Sequence, residues 1–67
     1  MPFITVEVLE GRSDEQLQAF AEAVTQAAVE HLAAERTRVR IRFVDIPRNR
    51  LARGGSLVSR LHEAHAD

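Results

Sequence analysis

Two short stretches of alternating hydropathy flank one longer stretch with helical spacing, and this order leaves little freedom of topology. In residues 3–9, Ile4, Val6 and Val8 fall on one side and Phe3, Thr5, Glu7 and Leu9 on the other. Period-two alternation rich in β-branched residues predicts a strand. Glu10, Gly11 and Arg12 then make a turn, and Ser13-Asp14-Glu15-Gln16 has the form of a capping box, in which the Ser13 hydroxyl accepts from the Gln16 amide. Leu17, Phe20, Ala21, Val24, Ala28 and Leu32 follow at three- and four-residue spacing, which predicts one buried stripe on a helix ending at about Ala33. Alternation returns over residues 38–44, with Val39, Ile41 and Phe43 opposed to Arg38, Arg40 and Arg42. A strand, a helix of about five turns and a second strand make an α+β crossover unit. Its strands should be parallel and its connection right-handed.

One helix covers one face of a two-stranded sheet and leaves the other face and both edges open. The chain has 67 residues and no cysteine, so neither a disulfide nor a thiolate metal site compensates for a small core. Association with further copies is the remaining remedy. Residues 1–67 are read as a single domain. Past Pro47 the pattern is irregular as far as Gly54-Gly55, which reads as a turn, so a loop or hairpin closes the unit. Residues 56–61 hold Leu57, Val58 and Leu61, too few apolar side chains for a core of their own, and are expected to pack on a neighbouring subunit. Residues 62–67 are expected to fray.

The 45% apolar and 28% charged content is that of an ordinary globular protein. No apolar run reaches membrane-spanning length, and the first residues lack the basic start and apolar core of a secretory signal. The expected location is therefore the cytoplasm, away from membranes. Net charge is −1 and neither tyrosine nor tryptophan stands among the arginines, which makes a poor case for nucleic acid. His62 and His65 are spaced to share a metal on a helix face, but a solvated tail is the plainer reading. His31 sits where it favours the helix dipole.

All nine basic residues are arginine. With no lysine, the only amine available as a base is the chain terminus. Removal of Met1 would leave Pro2 as a secondary amine at the start of a strand. Free α-amino groups titrate at about 7.7–8.0, and burial or nearby cations lower that value. Taken alone, Pro2 reads more simply as the first residue of an edge strand, where a missing amide hydrogen does no harm.

Pro2, the run Leu9-Glu10-Gly11-Arg12-Ser13, the pair Val39-Arg40 and the late Gly54-Gly55 occur together in an order and spacing that resemble the 4-oxalocrotonate tautomerase family. The resemblance extends from Pro2 through the paired glycines. It implies a β-α-β unit that dimerises and assembles into a homohexamer, a trimer of dimers, with no metal or organic cofactor. It further implies that Pro2 is the general base of an isomerase acting on a 2-hydroxydienoate or related 2-oxo acid, such as 2-hydroxymuconate of aromatic catabolism. Arg12 would bind a substrate carboxylate, Arg40 of a neighbouring subunit would polarise the carbonyl region, and the backbone near Leu9 would line the site. A planar guanidinium suits both tasks, since it grips a carboxylate bidentately and stabilises charge growing on a dienolate oxygen.

Three departures from the family pattern stand out. Leu51 matches an aromatic residue near the proline; it still excludes water but lacks ring contacts with a flat conjugated substrate. Arg53 stands where a small or apolar residue is usual, and a guanidinium cannot replace the water-activating carboxylate of related hydratases and dehalogenases. Arg38 and Arg42 flank Arg40, either as a second anion clamp or, more plainly, as partners of acidic residues such as Glu7. A binding member of the fold without catalysis remains the reading from another class.

Overall fold

The computed structural model describes residues 2–61. Strand β1 (Phe3–Leu9) leads through a turn into helix α1 (Asp14–Leu32), and strand β2 (Arg40–Ile46) returns parallel to β1. A short hairpin of β3 (Ala52–Arg53) and β4 (Ser56–Leu57) completes the order. Among the described residues no helix is long and apolar enough to cross a membrane.

Both halves of the capping box form. The Gln16 amide donates to Ser13 Oγ at 3.1 Å and the Ser13 amide donates to Gln16 Oε1 at 3.0 Å. Ser13→Ala removes the first of these bonds, and thermal or urea unfolding should show a loss of about 1 kcal/mol. The apolar stripe of α1 lies over the sheet face of Ile4, Val6 and Val8, where Phe20 meets Phe43 edge to face with ring centroids 6.2 Å apart. The opposite face carries Phe3, Thr5 and Glu7 against Arg40, Arg42 and Val44, in that register. Phe3 is 77% exposed there.

The second strand begins later than the alternation of residues 38–44 predicts. Pairing starts at Phe3 with Arg40, and the Arg40 amide donates to the Pro2 carbonyl at 3.1 Å, so nothing on β1 is left for Arg38 to pair with. Arg36–Arg38 instead close a 3-10 turn, with the Arg38 amide on the Glu35 carbonyl at 2.8 Å. Arg36 ties this turn to α1 through Glu22 and through Gln26 Oε1. Arg38 thus leaves the strand face that Arg40 and Arg42 share, and its Nε donates to Glu35, 3.1 Å away, rather than to Glu7.

The expectation for residues 56–61 needs correction at Val58, while Leu57 and Leu61 stay half-buried. Val58 is only 3% exposed within its own chain, and its amide donates to the Leu51 carbonyl at 2.8 Å. The cause is the Gly54-Gly55 turn, with φ of 60° and 87°, a left-handed pair that glycine adopts freely and that folds the tail back on the loop after Pro47. His62 and His65, with the fraying expected of residues 62–67, lie outside the described residues.

Candidate active site

Pro2 precedes β1 and is half-buried in a hollow that it shares with Leu32, Ala33, Ala34, Glu35 and Arg38. Arg40 is its neighbour across the ladder. The Arg40 guanidinium turns back toward the 3-10 turn, where Nη1 donates to the Thr37 carbonyl at 2.8 Å. The same end of the sheet thus holds the candidate base and a fixed cation.

A second hollow opens at the far end of the strands, lined by Glu7, Val8, Leu9, Arg12, Ile46, Arg50 and Leu51. It gathers the three residues assigned to substrate binding. Gly11, at φ 107°, makes the bend that delivers Arg12 to this rim, and the Ser13 cap anchors the start of α1 directly behind it. Leu9 is 6% exposed and Leu51 is 42% exposed. Leu51 comes after the 3-10 turn Arg48–Arg50, whose ends are tied down on both sides. The Arg48 amide donates to Glu10 Oε2 at 3.0 Å, the Arg50 amide to the Pro47 carbonyl at 2.8 Å, and the Leu51 carbonyl accepts from Val58.

No pattern in the sequence gives Arg50 a part in this hollow, or Glu10 a part in holding the turn that carries Arg50. Glu10 reaches Arg48 across a separation of 38 residues, and no local spacing signals such a contact. Arg50 sits in a run of arginines without periodicity. Arg53 belongs to β3, where it pairs with Ser56 across the turn, and does not line the hollow.

The two groups lie apart in a single chain. At the usual rise of about 3.3 Å per residue, the strand Phe3–Leu9 sets them roughly 20 Å from one another. Neither hollow alone joins an amine base to Arg12. A cationic rim with apolar walls suits a carboxylate on a flat carbon chain.

The family model described as tautomerase enzyme matches residues 2–61. A 2-hydroxymuconate tautomerase of Comamonas testosteroni is 46% identical over 48 residues, which span 72% of this chain and 76% of that protein. The structure of a 4-oxalocrotonate tautomerase isozyme from Methylibium petroleiphilum superposes with a TM-score of 0.85 at 35% identity, covering 92% of this chain and 100% of that one. A heterohexamer 4-oxalocrotonate tautomerase from Chloroflexus aurantiacus gives a TM-score of 0.85 at 29% identity, covering 92% and 100%. The chain belongs to the tautomerase family. Within it, the chain is a 4-oxalocrotonate tautomerase-like enzyme, an isomerase.

Proposed function

We propose that the enzyme isomerises a 2-hydroxydienoate such as 2-hydroxymuconate to its conjugated 2-oxo isomer, without a cofactor, using the amine of Pro2 freed by loss of Met1. The observation that carries this reading is the separation of Pro2 from Leu9, Arg12 and Leu51 at opposite ends of one strand pair. A two-fold axis across the strands reverses the strand direction of the second copy, so each end meets the other end of its partner. Pro2 of one subunit then faces Leu9, Arg12 and Leu51 of the next.

The small core supports association. Leu9, Ala28 and Val58 are the buried apolar residues among those described, while Phe3, Leu32 and Leu51 remain exposed. Three such dimers make a homohexamer in which Arg40 comes from a further subunit, and the heterohexamer relative supports that count. Kinship to a 2-hydroxymuconate tautomerase supports a dicarboxylate of aromatic catabolism in the cytoplasm.

In the reaction, Arg12 grips a substrate carboxylate and the neutral Pro2 nitrogen takes the hydroxyl proton at O2. The electron pair released at O2 forms the carbonyl, shifts the chain of double bonds and leaves C5 nucleophilic. The prolinium returns its proton to C5, and the remaining double bond stays conjugated with the new carbonyl. Arg40 stabilises the negative charge on O2 between the two transfers. Leu9 and Leu51 exclude water, which strengthens that attraction.

A subunit-mixing experiment tests the shared site. Chains with a blocked Pro2 and chains carrying Arg12→Ala are each expected to be poor catalysts at low substrate concentration. Unfolded together and refolded, they should regain activity in roughly a quarter of sites, as random pairing across a two-fold interface dictates. Native mass spectrometry should count six chains in the recovered enzyme. Absence of any recovery in mixed hexamers, or a stable folded monomer, would defeat the proposal.

A further inference from the structure

Pro47 follows β2 and carries no amide hydrogen, so it neither extends the ladder to β1 nor caps with a side chain the 3-10 turn Arg48–Arg50 behind it. The Arg48 amide, first in that turn, has no carbonyl within the turn to accept it. Glu10 supplies the acceptor. Its Oε2 takes the Arg48 amide at 3.0 Å, while its own backbone amide donates to the Ile46 carbonyl at 3.0 Å. One residue thus grips the chain on both sides of Pro47. Glu10 stands between Leu9 and Arg12, which line the hollow, and Arg48 leads to Arg50 and Leu51 on its other rim. Glu10 does not itself line the hollow.

Resting on the tautomerase reading, in which this hollow receives the substrate, we propose that Glu10 is a positioning residue for substrate binding. It latches the rim that carries Arg12 to the rim that carries Leu51, and so sets the width of the slot between them. Without the carboxylate the turn keeps its own bond from the Arg50 amide to the Pro47 carbonyl and its anchor from the Val58 amide to the Leu51 carbonyl, both 2.8 Å. The turn therefore persists as a unit but swings about the backbone at Pro47, and Leu51 swings with it. What is lost is the preformed slot, and ordering it again at each encounter costs affinity.

Muconate, the dienedioate without the 2-hydroxyl, tests this because its binding is read without turnover. Calorimetric titration of the assembled Glu10→Ala enzyme should show muconate bound about 5-fold more weakly than by the parent, the worth of one hydrogen bond near the surface. KM for 2-hydroxymuconate should rise by a similar factor, with kcat changed less. The Arg48 amide should exchange its hydrogen faster, while the Gln16 amide in the capping box keeps the parent's rate. Glu10→Gln keeps an oxygen for the Arg48 amide and should retain most of the parent's affinity. The sign separates a latch from a through-space charge, since removing a negative charge beside the hollow would tighten a dianion in both variants. Unchanged or tighter binding in Glu10→Ala, equal weakening in Glu10→Gln, or no muconate binding by the parent would overturn the proposal. Turnover of 2-hydroxymuconate is read on the same samples. Muconate binding that depends on Glu10 without turnover would sink the tautomerase substrate while leaving the latch in place, and turnover by Glu10→Ala with the parent's KM would do the reverse.

Discussion

Arg40→Ala is expected to lower kcat on 2-hydroxymuconate by about 10²-fold or more, with KM changed little, because its guanidinium meets a charge that exists only while the proton is in transit. The hydroxyl of the bound dienol is neutral. Its oxygen becomes anionic when Pro2 has taken the proton, and again carbonyl-like when C5 has received it. An interaction confined to that interval lowers the barrier without tightening ground-state binding. Arg12 contacts a carboxylate that is charged throughout, so Arg12→Ala should chiefly raise KM. Arg40 also donates to the Thr37 carbonyl, a bond that steadies the turn before β2. Circular dichroism and native mass spectrometry therefore accompany the kinetics, so that a fold defect is not read as a catalytic one. Equal effects of the two substitutions on kcat and KM would refute the division of roles.

Local signals carry most of the fold. The capping box and the glycine pair each state a short-range rule and are found where that rule puts them, whereas the Leu17 to Leu32 stripe faces the sheet with Ala28 alone buried and with Phe20 and Leu32 exposed. The start of β2 is not legible in the same way, because alternation at Arg38 and Val39 looks alike in a strand and in the turn before one. What decides is the ladder, and β1 has no partner to offer before Phe3. A count of apolar residues sends Val58 to a neighbouring subunit, whereas the reversal at Gly54-Gly55 returns it to its own chain. For the site, family resemblance supplies Pro2, Leu9, Arg12, Arg40 and Leu51. Their division into two groups at opposite ends of the sheet is a property of the parallel register, which no residue pattern reveals. Arg50 enters only with the geometry, since its position depends on the distant Glu10 carboxylate that receives the Arg48 amide.

The base is the central claim, and one variant bears on it directly. An uncleaved residue placed before Pro2 turns the amine into an amide, whose nitrogen has no basic lone pair, while every side chain of the site stays as it is. General-base catalysis contributes about 10²–10⁴-fold. With no lysine in the chain to substitute, the blocked enzyme should lose at least that much in kcat/KM. Muconate affinity and the number of chains in the assembly should remain those of the parent. In the parent, kcat/KM should rise with pH through a single titration, because only the neutral amine accepts a proton, and the blocked enzyme should lack that limb. Measured side by side on proteins of verified intact mass, a blocked hexamer that binds muconate yet no longer turns over 2-hydroxymuconate is the predicted result, and a blocked hexamer with the parent's kcat/KM would contradict it.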